Sequence, residues 1–71
     1  MPDYIEMWNK GYSRKYLYRM RYEEIKRFHD LKNIPYRKKD LKNDSRDFIE
    51  LLLYSEYKKG SDNVWLMVQN I

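Results

Sequence analysis

The sequence contains no cysteine and only one histidine, His29, among its 71 residues. The absence of cysteine excludes disulfides, thiolate metal sites and cysteine nucleophiles. One histidine cannot form a multi-histidine site, and His29 is expected to pack at the edge of the core. No apolar run approaches the roughly 18 residues that a membrane-spanning helix needs, and the N-terminal segment lacks the basic flank and apolar centre of a signal peptide. These absences predict a cytoplasmic protein without catalysis, metal, cofactor or membrane contact.

The length allows one small domain, residues 1–71, near the size at which a single hydrophobic core only just offsets the entropy of ordering the chain. A catalytic cleft with several buried polar groups is difficult to build at that size. We expect a core unit at residues 22–59, with residues 1–21 and 60–71 packing on it.

Positive charge is concentrated in the middle of the chain. The net charge is +4, but from Lys10 to Arg46 there are thirteen Lys or Arg against five Asp or Glu, a net charge of +8. Both ends are mildly acidic. This asymmetry is typical of a surface that meets an anion, most often nucleic acid, although an acidic protein or a lipid surface agrees with it as well. A solvated face that serves only solubility is the alternative.

A first helix is indicated by apolar residues at three-residue steps from Ile25 to Leu31. It should end at about Lys32. Asn33 tolerates the left-handed φ expected after a helix C-terminus, and Pro35 prevents the helix from continuing.

The segment Tyr36 to Asn43 is so rich in Lys and Arg that we expect an extended basic loop on the surface, anchored by Leu41. Asp44 or Ser45 should cap a second helix, because their side-chain oxygens can accept from free backbone N–H groups. Gly60 is the natural end of that helix.

The sequence allows more than one secondary structure at the two ends of the chain. Residues 2–9 alternate apolar and polar side chains, and residues 12–20 allow either a strand or a helix from about Arg14, of which we favour the helix. A five-residue apolar run near the C-terminus favours a strand, which would pair with the YIEMW segment or with a second copy of the chain, although Ser61 or Asp62 could instead cap a short third helix. The residues of that run, through which a homodimer would form, are Val64, Trp65, Leu66, Met67 and Val68.

The order helix, stop, basic loop, helix resembles the helix–extended loop–helix modules of the SAP and HeH group. The modules share a first pattern, E-L-K-x-x-L-x-x-K-G-I-x-Y. The residues of this chain that fall on it are Glu24, Ile25, Lys26, Phe28, Lys32, Ile34 and Tyr36. Those that fall on a second pattern, K-x-E-L-I-x-x-L, are Phe48, Ile49 and Leu52. The similarity covers Tyr22 to Tyr54. Asn33 replaces the usual Gly, His29 replaces a common Leu, and the loop is about two residues longer.

This resemblance implies a mostly α fold and binding of double-stranded DNA, often AT-rich, and HeH modules are common in small phage proteins. A mobile basic loop that leads into a helix N-terminus also offers charges and free N–H groups to phosphates. We therefore assign the phosphate contacts to Arg37, Lys38, Lys39, Lys42 and Arg46. Further cations would extend this footprint if they share its face, namely Arg14, Lys15, Arg19 and Arg21.

The helices themselves are expected to be scaffold. Their predicted core consists of Ile25, Phe28, Ile34, Phe48, Ile49 and Leu52. Tyr16, Tyr18 and Tyr22 are expected at the edge of the core, with stacking on bases as the alternative. The alternative function is a small protein-binding inhibitor or adaptor whose basic hairpin docks on an acidic protein partner, and a structural component of a larger complex is a further option.

Overall fold

The computed structural model describes residues 2–60, with side chains for residues 2–58. Three helices occupy this range: α1 (Tyr4–Asn9), α2 (Arg14–Lys32) and α3 (Lys38–Gly60). No strand occurs within it, so the mostly α prediction is confirmed and the predicted strand at YIEMW is wrong. The predictions for residues 61–71, including the dimer contact, lie outside the described residues.

Helix α1 forms because its first turn is capped. Asp3 accepts a hydrogen bond from the backbone N–H of Glu6 at 3.0 Å, as a good N-cap residue does. Lys10 pairs with Glu6 one turn earlier at 2.8 Å. Gly11 then takes a positive φ of 98°, a conformation that glycine adopts without steric cost. These contacts favour a helix followed by a turn over the alternating pattern of a strand.

Helix α2 agrees with the sequence prediction at both ends. Ser13 caps its start by accepting from the N–H of Tyr16 at 3.2 Å, and the helix begins at Arg14. Asn33 has left-handed backbone angles of φ 54° and ψ 38°. The N–H of Ile34 bonds to the carbonyl of His29 at 2.9 Å, which is the Schellman arrangement of a helix C-terminus.

Helix α3 begins at Lys38, so the predicted extended loop and the predicted cap at Asp44 or Ser45 are wrong. The connection between α2 and α3 is only residues 33–37. Leu41, Ser45, Ile49 and Leu53 lie four residues apart and are all buried, so they form one continuous stripe on a helix. Ser45 is accommodated because its hydroxyl donates to the carbonyl of Leu41 at 2.6 Å. The burial of this stripe outweighs the charge of the first two turns.

The core lies where α1 crosses the antiparallel hairpin of α2 and α3. Arg14 at the start of α2 contacts Glu50 of α3, which sets the antiparallel direction. The buried side chains are Tyr4, Leu17, Ile49 and Leu53, and those packed around them are Ile5, Met7, Tyr18, Met20, Phe48 and Leu52. The predicted core positions on α3 are therefore confirmed.

The other end of the hairpin, where α2 turns into α3, is more open. Phe28 and Ile34 were expected in the core, but they are 54% and 41% exposed, and that part of the prediction is wrong. Leu31 is 77% exposed. The reason is that α1 has six residues and covers only the opposite end. Within residues 2–60 no third helix reaches this apolar tip.

Candidate nucleic-acid interface

A cleft between α2 and α3 gathers basic side chains from both helices. Its volume is about 720 Å³. We call it the basic cleft, and it is lined by Lys15, Tyr18, Arg19, Tyr22 and Glu23 of α2 and by Lys42, Ser45 and Arg46 of α3. Four of these side chains are cationic and one is acidic.

The four cations form two rows. Lys15 and Arg19 are four residues apart on α2, and Lys42 and Arg46 are four apart on α3, so each pair lies on one face of its helix. Lys38 is four residues before Lys42 and continues the row on α3 toward the N-terminus of that helix. Because the helices are antiparallel, the two rows face one another across the cleft.

The cations of the basic cleft form no ion pair among residues 2–58, although the charge of Arg46 adds to the hydrogen bonds from Arg14 and Tyr18 that lower the pKa of Glu50. These cations are Lys15, Arg19, Lys42 and Arg46. The guanidinium of Arg46 makes one long hydrogen bond, 3.4 Å, to the amide oxygen of Asn43. Since an unpaired surface cation remains available to a ligand phosphate, the cleft is a ready site for anions.

The two remaining predicted site residues of α2, Arg14 and Arg21, lie on the α1 side instead. Arg14 and Tyr18 both donate to the carboxylate of Glu50, and these two hydrogen bonds hold the pKa of Glu50 below its usual range. The phosphate role of Arg14 stays a prediction, for a guanidinium that already has a carboxylate partner in Glu50.

Arg21 is likewise committed to the fold. It pairs with Glu24, and its guanidinium carbon lies 3.8 Å from the centre of the Phe48 ring. Tyr4 donates to the same carboxylate at 2.9 Å. Burial of Tyr4, helped by its hydrogen bond to Glu24, raises the pKa of that phenol to about 12. The phosphate contact of Arg21 likewise stays a prediction, for a side chain that already pairs with Glu24.

The predicted residues at the start of α3 fall outside the cleft. Arg37 bonds through Nε to Asp40 at 2.9 Å and is held at the helix start. Lys38 and Lys39 are exposed in the first turn, at the rim of the α3 row. The free N–H groups of α3 are thus at its start near Lys38, one and a half turns before the predicted position at Asp44.

Tyr16 was expected at the edge of the core or in stacking on bases, but its pairing with Tyr12 was not predicted from the sequence. The rings of Tyr12 and Tyr16 stack with their centres 4.9 Å apart and their planes inclined by 18°, yet they remain 46% and 43% exposed. The four-residue spacing of the two tyrosines, like that of the cations, was the sequence signal that could have predicted a shared helix face.

His29 occupies a second, shallow cavity of about 580 Å³ at the apolar tip. Its ring is half-buried and meets Tyr36 edge-on at 5.4 Å, as expected for a packing histidine. Its Nδ1 atom is buried and has no hydrogen-bond partner within the described part of the chain. Over that same part, no group of three His, Cys, Asp or Glu side chains is placed to hold a metal ion.

None of the three helices is both long enough and apolar enough to cross a membrane, within residues 2–60. Comparison with known proteins finds no matching family model, no matching curated protein and no matching solved structure.

Proposed function

We propose that this protein binds nucleic acid, without catalysis, by placing the phosphate backbone in the basic cleft. The observation that carries the proposal is the pair of facing cation rows, Lys15 with Arg19 and Lys42 with Arg46, none of which pairs with a carboxylate among residues 2–58. Phosphate contacts supply most of the affinity of non-specific nucleic-acid binding.

The spacing of the rows suits a chain of anions. Residues four apart on a helix are separated by about 6 Å along its axis, and two packed helices lie about 8–10 Å apart. Four cations at such distances match successive phosphates of a strand, whereas a single small anion would engage only part of them. Lys38 and Lys39 extend the footprint along α3.

The proposal assigns the cleft cations to phosphates, which carry no base sequence, so the proposed binding has little sequence specificity. The resemblance described above implies duplex DNA. That implication depended on an extended loop at residues 38–43, and this segment is helical. The cations of the cleft could contact the phosphates of either a duplex or a single strand.

The test is fluorescence anisotropy with labelled oligonucleotides over a range of salt concentrations. If about four phosphates are neutralised, log K should fall against log salt with a slope of roughly −3 to −4. Replacing Lys15, Arg19, Lys42 and Arg46 together by Ser should weaken binding at least tenfold and flatten the slope. The matched control removes four positive charges elsewhere, by replacing Lys10, Lys26, Arg27 and Lys32 with Ser.

The control variant should keep most of the affinity and most of the salt dependence. Equal losses in the two variants would mean that net charge alone attracts the nucleic acid, and the cleft assignment would be wrong. A wild-type protein without measurable binding at low salt would overturn the proposed function.

A second function is favoured by a different observation. The apolar tip exposes Phe28, Leu31 and Ile34, and exposed apolar groups of this kind mark protein contacts. An adaptor or inhibitor that docks on an acidic protein would use this tip together with the neighbouring cations. A complex that survives nuclease treatment and is lost on Leu31→Ser, while the cleft variant retains it, would support this second function.

A further inference from the structure

The tyrosine pair, Tyr12 and Tyr16, is held in place by the start of α2. The backbone N–H of Tyr12 bonds to the carbonyl of Met7 at 3.1 Å, and the N–H of Tyr16 bonds to the Ser13 hydroxyl at 3.2 Å. These hydrogen bonds fix the backbone on either side of the helix cap, from which the two stacked rings project.

The core does not need this stack. Its buried members are Tyr4, Leu17, Ile49 and Leu53, and neither tyrosine of the pair belongs to that cluster. Stacking covers one face of each ring, while 46% of Tyr12 and 43% of Tyr16 remain exposed. An exposed aromatic stack is a surface on which a further planar group can stack.

One cation of the α2 row lies near the pair along the helix. Arg19 is three residues beyond Tyr16, so the two occupy neighbouring positions of the helix surface. A strand whose phosphates contact Lys15 and Arg19 therefore brings its bases within reach of the stack. The combination of a basic groove with aromatic rings is the arrangement that binds single-stranded nucleic acid.

We infer that the basic cleft and the tyrosine pair together bind a single-stranded nucleic acid, with unpaired bases stacked on Tyr12 and Tyr16. The inference rests on the proposed function and adds the form of the ligand. A duplex covers the faces of its bases with neighbouring pairs, so only an unpaired base can extend the stack. Because every base has a π face, the preference should be for strandedness rather than sequence.

The test compares a labelled oligo-dT with a hairpin duplex that carries the same number of phosphates, in fluorescence anisotropy at one salt concentration. Wild-type protein should bind the single strand about tenfold more tightly. Tyr12→Leu with Tyr16→Leu should lower single-strand affinity about tenfold or more and leave duplex affinity unchanged. Tyr12→Phe with Tyr16→Phe should restore the preference, because the rings are kept.

Tyr57→Leu is the matched control, since Tyr57 is 58% exposed but lies near the end of α3. It should change neither affinity. Equal affinity of the wild type for both ligands, or a single-strand preference that survives removal of both rings, would overturn the inference while leaving the cleft proposal intact. Absence of binding to either ligand would overturn the proposed function and the inference with it.

A second measurement needs no variant. Irradiation of the unaltered protein with a 5-bromouracil-substituted single strand should cross-link Tyr12 or Tyr16, identified by peptide mapping. Cross-links confined to Tyr54 or Tyr57 on α3 would contradict the assigned stacking position, even if the affinities followed the expected order.

Discussion

The two faces of the α2–α3 hairpin hold their basic side chains in opposite ways. On the side that α1 covers, Arg14 pairs with Glu50 and Arg21 pairs with Glu24. On the cleft side, Lys15 and Arg19 have no carboxylate partner within residues 2–58. Arg14 and Lys15 are adjacent in sequence, so the position of a charge along the chain does not reveal its role. The side chains that each cation contacts in the fold do.

This difference separates stability from binding. The paired cations sit beside partly buried groups and stabilise the docking of α1. The cations of the basic cleft face each other, and like charges four residues apart on one helix cost a few tenths of a kcal/mol. A fold that keeps such a cost without an internal partner retains free charge for a ligand. A substitution confined to one face should therefore change stability or binding, but not both.

The largest effect should come from the core beneath the α1 side. Leu53 is 6% exposed and Leu51 on the same helix is 68% exposed. Leu53→Ala should lower the free energy of unfolding by about 2–4 kcal/mol, because it leaves a cavity. Leu51→Ala should change it by less than about 0.5 kcal/mol. Urea denaturation followed by circular dichroism measures both, and similar losses would place the core elsewhere.

The second effect compares one arginine on each face of the hairpin. Arg21→Met removes the pairing with Glu24 and the contact with the Phe48 ring, so it should cost about 1–2 kcal/mol of stability. Arg19→Met should cost less than about 0.5 kcal/mol but weaken nucleic-acid binding. Urea denaturation measures the stability of both variants, and fluorescence anisotropy measures their affinity for nucleic acid. If Arg19→Met loses both stability and affinity, the two faces do not have separate roles.

The third effect depends on pH and on Tyr4, the residue that ties α1 to α2. Tyr4→Phe removes the hydroxyl donor to Glu24 and should cost about 1 kcal/mol at pH 7. The pKa of Tyr4 is raised from 10.0 to about 12 in the folded protein. Because folding favours the protonated phenol, this contribution is complete below pH 10 and is lost as the pH rises toward 12.

The wild-type protein should therefore lose stability relative to Tyr4→Phe between pH 10 and 12, and the gap between them should shrink. Thermal unfolding at pH 7, 9, 10.5 and 11.5 measures this gap. A gap that is constant across the series would mean that the Tyr4 hydroxyl is not coupled to the fold.

The sequence was sufficient for α2 because its ends carry local signals. Ser13 and Asn33 act on backbone groups within a few residues, and such contacts can be predicted without knowing the rest of the fold. The start of α3 was mispredicted because the loop prediction weighed the charge of residues 37–42 and not the spacing of Leu41, Ser45 and Ile49. A polar residue in an apolar stripe is read as a cap unless its hydrogen bond is known.

The site was only partly predictable for a different reason. Lys15, Arg19, Lys42 and Arg46 were all named from the sequence, and the structure brings them into one cleft. Arg21 was named with them, but it lies over the ring of Phe48 on α3, which is a tertiary contact. The exposure of Phe28 and Ile34 has the same origin, since it depends on the short reach of α1.

The smallest effect should appear when the cleft loses charge. Lys15→Gln with Lys42→Gln removes repulsion between the rows and should raise the free energy of unfolding by about 0.2–0.5 kcal/mol, with a smaller gain in high salt, where the charges are screened.

Glu50→Gln on the opposite face should lower stability at pH 7. The pKa of Glu50 is held below its ordinary value of 4.5, so its contribution is complete above that pH and disappears as the pH falls further. If the two cleft substitutions destabilise the protein as Glu50→Gln does, the cleft cations belong to the fold and the contrast between the faces is wrong.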